Sequence, residues 1–146
     1  MTECEVTPGS ASRVSALLGN AAFSHRLVTV HWELTYRCNT RCTHCYAVKP
    51  GDSGFQAPAP ELSTDECFRV IDELHANNAL QLVFSGGEIL IRPDFFDIAS
   101  YARSKKFLLR LLTNGTLVTP TVADRIKALA PMSVEISLYG AQAKTH

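Results

Sequence analysis

Strand-like and helix-like segments alternate along most of this 146-residue chain, and this alternation restricts its fold more than any other feature. Around Trp32, apolar and polar residues alternate with the two-residue period of a β-strand, and three later apolar runs have the composition of buried strands. Three stretches with apolar residues at helical spacing separate these four segments. The predicted strands cover residues 28–35, 80–84, 107–112 and 133–138, and the predicted helices lie within residues 62–78, 92–106 and 120–129.

The order of these segments predicts an α/β fold, in which right-handed crossovers connect a parallel sheet of about four strands with three helices. Four strands with their helices are half of a TIM-type βα barrel, which takes about 250 residues. We therefore predict a partial, incomplete barrel over residues 27–146, preceded by a lead segment at residues 1–26 that has no sustained periodicity. The sequence ends where a fourth helix is expected, so we expect the carboxy-terminal half of the barrel to be missing.

Local signals support the helix assignments. Ser63 lies three residues before Glu66, which is the pattern of a capping box at a helix start. Pro93 is placed to occupy the first turn of the second helix, and Pro120 begins the third.

A short motif follows each predicted strand. The cysteine cluster 38–45, "SGGE" at 85–88, "TNGT" at 113–116 and "YGA" at 139–141 occupy these positions. Because the carboxyl ends of parallel strands lie at one rim of the sheet, where ligands bind in such folds, we expect the four motifs to lie together.

The cluster "CNTRCTHC" contains three of the five cysteines of the chain. A disulfide would leave one thiol over, and haem attachment needs a histidine at position 46, where this chain has Tyr46. A zinc site of three thiolates and His44 is an alternative, although adjacent residues such as His44 and Cys45 rarely turn toward one small ion without strain. A four-iron, four-sulfur cluster ordinarily takes four thiolates, so three would leave one iron open to another ligand.

Charge and hydropathy exclude other classes of function. The 14 basic and 14 acidic residues balance to a net charge of +0 and are mixed along the chain, so we expect no nucleic-acid partner. Glu3 and Glu5 stand where a signal peptide would be basic, and no apolar run could span a bilayer, so we expect no membrane partner. We expect a cytoplasmic protein, in which closely spaced thiols bind metal rather than form disulfides.

With these motifs in this order, residues from about Thr29 to His146 resemble the first half of a radical S-adenosylmethionine (radical SAM) enzyme core. The motifs are "CNTRCTHC", "SGGE", "TNG" and "SLYG", each after a strand. The stretches "WELTYRCNTRCTHCY" and "SGGEILIRPDFFDIA" are most similar to the branch with a carboxy-terminal auxiliary-cluster (SPASM-type) domain. That branch modifies peptides or builds peptide-derived cofactors and haems.

The resemblance implies a 4Fe-4S cluster held by Cys38, Cys42 and Cys45, with S-adenosylmethionine chelating the fourth iron. His44 takes the place of an aromatic residue that usually packs near the adenine. The resemblance further implies that the methionine amino group of S-adenosylmethionine contacts the backbone of two glycines and the side chain of one glutamate. It implies that three other residues contact the ribose and carboxylate groups of S-adenosylmethionine. These positions are Gly86, Gly87 and Glu88 for the amino group, and Thr113, Asn114 and Ser137 for the others.

The implied reaction requires no protein acid or base. One electron, from a flavodoxin- or ferredoxin-type donor, cleaves S-adenosylmethionine to a 5'-deoxyadenosyl radical that abstracts hydrogen from a substrate, such as a peptide or a cofactor or haem precursor. Ile89 and Tyr139 depart from the residues common at these places in the family. The alternative from another class is a non-catalytic iron-sulfur or zinc-binding module, or an inactive fragment.

Overall fold

In the computed structural model, residues 27–43, 45, 60–140 and 142 are described, and in them four strands alternate with three α-helices. The predicted lead segment falls outside the described residues, as does His44. The strands are β1 Thr29–Thr35, β2 Gln81–Gly86, β3 Leu108–Thr113 and β4 Ser133–Ile136, and the α-helices are α1 Thr64–Ala76, α2 Phe95–Ser104 and α3 Pro120–Leu129. A single 3₁₀ turn, Ile89–Ile91, lies between β2 and α2.

The four strands form one parallel sheet in the order β1-β2-β3-β4. Each strand pairs with the next one along the chain, and within the described residues the sheet does not close on itself. The predicted fold class, a parallel sheet of four strands with three helices as in an open part of a βα barrel, is therefore confirmed.

One face of the sheet packs against the helices. Leu82, Phe84 and Leu109 are fully buried there, against Phe95 and Ile98 of α2. Alternate residues of the same strands point to the other face, which is mixed and carries Val83 and Leu112 beside polar pairs. His31 Nε2 lies 2.7 Å from Ser85 Oγ, and Arg110 pairs with Glu135. The apolar face holds the helices in place, and the strand ends carry the motif loops.

The helix starts follow their local signals with one exception. Ser63 and Glu66 form the predicted capping box, and α3 begins at Pro120. The prediction for Pro93 was wrong, because α2 begins at Phe95 after its N-cap Asp94, so Pro93 lies just before the first turn. The chain between β2 and α2 first forms the 3₁₀ turn, and this delays the helix start.

Strand β4 is shorter than predicted, since it ends at Ile136 rather than at Leu138. Leu138 is 72% exposed and Val134 and Ile136 are also exposed, because no described element covers them. None of the helices in the described part of the chain is long and apolar enough to cross a membrane.

Candidate functional site

The cysteine loop follows β1 directly. Cys38 and Cys42 are exposed, Cys45 is half-buried, and all three have free thiols. The Thr40 hydroxyl lies 3.2 Å from Cys38 Sγ and 3.7 Å from Cys42 Sγ, and Cys45 N donates to Cys42 O at 3.1 Å. The loop therefore turns back on itself, and the Cys38 and Cys42 thiols face a common space beside Thr40.

Thiols are soft ligands that suit zinc or an iron-sulfur cluster. Among the described residues, no three His, Cys, Asp or Glu side chains are gathered closely enough to hold a single metal ion. A four-iron cluster places each thiolate on a different iron, so it needs thiols arranged around it rather than meeting at one point. The three free thiols fit such a cluster by their chemistry. The zinc alternative needs His44, which lies outside the described residues.

The "SGGE" loop packs backbone to backbone against the end of β1. Gly87 N donates to Thr35 O and Glu88 N donates to Arg37 O, both at 2.8 Å. A Cβ atom at Gly87 would overlap the Arg37 carbonyl and lie 2.8 Å from Tyr36 O. At Gly86, whose φ of +128° is in the region that favours glycine, a Cβ atom would overlap the Thr35 carbonyl. Glycine is thus required at both positions by the close approach of the chain to itself.

Glu88 is completely buried. Its Oε1 accepts hydrogen bonds from Thr113 Oγ1 at 2.7 Å and from Leu90 N at 3.1 Å, and its Oε2 accepts one from Asn114 N at 2.7 Å. Both carboxyl oxygens are thus engaged by the chain itself. These hydrogen bonds do not test the contact that the resemblance implies between this carboxylate and a methionine amino group.

The β3 loop contacts the cysteine loop through Asn114. Its Nδ2 donates to Asn39 Oδ1 at 2.9 Å and lies 3.8 Å from Cys38 Sγ. Its Oδ1 accepts hydrogen bonds from Thr116 N at 3.0 Å and from Thr116 Oγ1 at 2.7 Å, and Asn39 Nδ2 donates to Thr116 Oγ1 at 2.8 Å. The expected meeting of the cysteine, "SGGE" and "TNGT" motifs at one rim is therefore present in the structure.

The other expected site residues lie at the same rim or outside the described part. Thr113 is buried with its hydroxyl bonded to Glu88, and Ser137 is exposed, with its backbone N donating to Thr113 O at 3.0 Å. His44 cannot be placed, because it is outside the described residues, as is Ala141 of the "YGA" motif.

The buried side chain of Arg92 stabilises the end of β1, where the cysteine loop begins. The Arg92 guanidinium, 4% exposed, donates to Leu34 O at 3.2 Å, to Leu62 O at 3.0 Å and to Asp94 Oδ2 at 2.7 Å. Thr64 Oγ1 also donates to Asp94 at 2.7 Å. The Arg92 guanidinium holds the pKa of Asp94 at about 2. This ion pair joins the end of β1 to the starts of α1 and α2.

A second carboxylate supports the same loop from outside. Glu61 pairs with Arg37 at 3.0 Å and accepts a hydrogen bond from the Thr35 hydroxyl. Burial raises the pKa of Glu61, but the hydrogen bonds from Thr35 and Arg37 outweigh burial and leave it below its usual value. Thr35 Oγ1 in turn accepts from Arg37 N at 3.1 Å.

Sequence reasoning did not single out Asn39, Thr40, Thr116 or Arg92. The first two lie between the cysteines and the third directly follows "TNG", so their positions inside the motifs were the available signal. Arg92 carried no such signal, because its partners Leu34 and Leu62 are distant in sequence.

The comparison with curated proteins finds relatives that match about four fifths of this chain at about 40% identity. AdoMet-dependent heme synthase of Methanosarcina barkeri is 42% identical over 117 residues, which are 80% of this chain and 32% of that protein. Mycofactocin maturase MftC of Mycobacterium tuberculosis is 40% identical over 119 residues, which are 82% of this chain and 29% of that protein. The chain thus spans about a third of the length of these relatives.

Solved structures show the same fold. The crystal structure of Streptococcus suis SuiB bound to S-adenosylmethionine has a TM-score of 0.65 at 13% identity, and the match covers 99% of this chain and 32% of SuiB. SuiB bound to the precursor peptide SuiA has a TM-score of 0.57 at 12% identity, covering 86% of this chain and 28% of SuiB. At such identities these matches support the fold alone.

The family model described as radical SAM superfamily matches residues 32–146, which include all of the motif loops. That match and the two relatives of about 40% identity confirm the resemblance inferred from the motifs. The chain belongs to the radical SAM superfamily.

Proposed function

We propose that this chain is the cluster-binding part of a radical SAM enzyme, in which Cys38, Cys42 and Cys45 bind three irons of a 4Fe-4S cluster. Members of the superfamily bind such a cluster and S-adenosylmethionine. The observation that supports the proposal most is the junction of the motif loops, where the Asn114 amide reaches the Cys38 thiol at 3.8 Å. Three thiolates leave one iron available to S-adenosylmethionine.

The remaining rim residues would surround S-adenosylmethionine. We assign the backbone of the 86–88 segment to the methionine end, and the segment formed by Thr113 and Asn114, together with Ser137, to the ribose and carboxylate groups. His44 would lie near the adenine. When bound, the cluster and S-adenosylmethionine supply a 5'-deoxyadenosyl radical that takes hydrogen from a substrate. The chain's own part is to hold the two groups together at the rim.

The substrate class follows from the relatives rather than from the site. A heme synthase and a mycofactocin maturase are among the relatives of about 40% identity, so we propose a peptide or a haem or cofactor precursor as substrate. A flavodoxin- or ferredoxin-type protein would supply the electron. A cytoplasmic location would keep the free thiols reduced, and a SPASM-type domain would follow the barrel in the whole protein.

Anaerobic reconstitution with iron and sulfide tests the cluster. We expect about four irons and four sulfides per chain, because a 4Fe-4S cluster is the form that three thiolates and one open iron support. Cys42→Ala should lose the iron, whereas Cys67→Ala should keep it, since Cys67 is fully buried among the residues of α1 and α2. One zinc per chain without sulfide would reject the proposal.

Adding S-adenosylmethionine separates the enzyme from an electron carrier. We expect the electron paramagnetic resonance spectrum of the reduced cluster to change, because the cofactor binds the open iron, while 5'-deoxyadenosine should form slowly or not at all from this part of the barrel alone. A reconstituted cluster whose spectrum is indifferent to S-adenosylmethionine would favour the non-catalytic iron-sulfur module.

A further inference from the structure

Glu88 is the one carboxyl group in the described motif loops that no solvent reaches. A carboxyl group that binds a ligand has to offer at least one oxygen to that ligand. Here donors of the chain occupy three of the roughly four acceptor sites of Glu88, two at Oε1 and one at Oε2, and complete burial closes off the remaining site at Oε2. Two of those donors are backbone N–H groups, of Leu90 and Asn114, which cannot turn away without moving the chain.

The hydrogen bonds of Glu88 connect three loops. Its backbone N donates to Arg37 O in the cysteine loop at 2.8 Å, while its carboxyl group holds the first residues after β3. Asn114, fixed there through its own backbone, directs its side-chain amide to Asn39 and to the Cys38 thiol. A continuous path of contacts therefore runs from the buried carboxyl group to a cysteine loop side chain.

We propose that Glu88 is a positioning residue, which acts through Asn114 to place a hydrogen-bond donor against the Cys38 thiolate rather than by contacting S-adenosylmethionine itself. This inference rests on the proposed function for its cluster, but its structural part concerns the metal-free chain. Hydrogen bonds to cluster thiolates raise the reduction potential, because they stabilise the more negative reduced state. Residues that orient metal ligands in this way typically change metal affinity by about 10–100-fold when replaced.

Glu88→Gln tests the positioning role with little change of shape. A Gln side chain has one acceptor oxygen, whereas the Leu90 and Asn114 N–H groups point at different oxygens of Glu88. One of these two N–H groups must therefore face the NH₂ group of Gln and lose its acceptor. The Thr113 hydroxyl does not add to this conflict, because it can rotate to accept instead of donate.

Hydrogen–deuterium exchange of the metal-free chain is the first measurement. In Glu88→Gln we expect the amide of Leu90 or Asn114 to exchange about tenfold faster than in the unaltered chain, with faster exchange also in residues 38–40. The exposed Glu73 on α1 provides the control, and Glu73→Gln should exchange like the unaltered chain. Unchanged exchange in Glu88→Gln would overturn the proposal. No cluster is needed, so this result is independent of the proposed function.

Asn114→Ala tests whether the Asn114 side-chain amide acts on the Cys38 thiolate, and it leaves in place the backbone N–H that donates to Glu88. In the reconstituted chain we expect a more negative cluster potential and about 10–100-fold weaker iron retention than in the unaltered chain. Glu88→Gln should shift the potential in the same direction, and the double variant should shift it no further than Asn114→Ala alone. Should Glu88→Gln not fold, Asn114→Ala still decides the matter, because an unchanged potential in it would overturn the donor role. Equally, a Glu88→Gln variant that weakens only S-adenosylmethionine binding would assign Glu88 to the ligand.

Discussion

Replacing Gly87 by Ala adds only one methyl group, but we expect it to disrupt the rim strongly. The added Cβ atom would overlap the Arg37 carbonyl oxygen and lie 2.7 Å from Arg37 C, and both atoms are backbone and cannot rotate aside. The loop would have to move outward, and the hydrogen bonds that Gly87 N and Glu88 N donate across the gap at 2.8 Å would be lost or stretched. The cysteine loop starts at this contact, so the displacement would reach the thiols.

The cost follows from these contacts. Two lost backbone hydrogen bonds contribute about 0.5–1.5 kcal/mol each, and overpacking in a closely packed site adds about 1–3 kcal/mol. We therefore expect Gly87→Ala to lower the free energy of unfolding by about 2–6 kcal/mol, a large part of the total of about 5–15 kcal/mol for a domain. Urea unfolding of the metal-free chain measures this directly. The single Trp32 reports on it, since it packs with Phe84 at a ring distance of 6.0 Å.

Gly115→Ala is the matched control. Gly115 has φ +76°, so alanine there would be strained by about 1–2 kcal/mol. Its Cβ atom would meet the Ile136 side chain at 2.9 Å, but that side chain is 58% exposed and can rotate away. We expect the smaller loss of stability at Gly115 and retained iron binding there, against reduced iron binding in Gly87→Ala. If Gly87→Ala were no less stable than Gly115→Ala, the close approach of Gly87 to the Arg37 backbone would not be what stabilises this rim.

Three further perturbations test other parts of the structure. Burial raises the pKa of the Cys67 thiol, so in the metal-free chain iodoacetamide should alkylate the exposed Cys38 and spare Cys67, as peptide mass spectrometry would show; equal labelling would contradict this. Because Arg92 holds the pKa of Asp94 at about 2, below the usual 3.8, the stability that Asp94 contributes is present above about pH 4 and is lost as the pH falls toward 2. Asp94→Asn should flatten this fall in urea titrations at several pH values, and an unaltered pH profile would argue against the ion pair. Strand β4 is an edge of the described sheet and exposes Val134 and Ile136, so we expect the chain to self-associate through it. Ile136→Lys puts a charge on this edge and should shift elution in size-exclusion chromatography toward the monomer, and an unchanged elution volume would contradict this.

Elements set by local periodicity and end signals could be predicted from the sequence. The capping box at Ser63 and the start of α3 at Pro120 depend only on residues within one helical turn, so the adjacent sequence is enough to predict them. The four parallel strands followed from apolar runs separated by amphipathic helices. The convergence of the motif loops followed in turn, because every parallel strand ends at the same rim.

Boundaries that depend on neighbouring elements were less predictable. Strand β4 needs a hydrogen-bonding partner to continue, and its pairing with β3 ends at Ile136 opposite Thr113. The start of α2 was misplaced, because the 3₁₀ turn after Glu88 is capped by that buried side chain and takes up the residues before Pro93.

The sequence by itself determined the fold class, the thiol ligands proposed for the cluster and the family, since each depends on residue types at short and regular spacing. Only the tertiary structure decided what holds the rim together. Glu88 and Asn114 are 26 residues apart, and Arg92 and the Leu34 carbonyl are 58 apart. The glycines of "SGGE" likewise face the β1 end across a gap of about fifty residues. Hydrogen bonds and steric contacts of this kind depend on distances between backbone atoms, which exist only after the strands have paired.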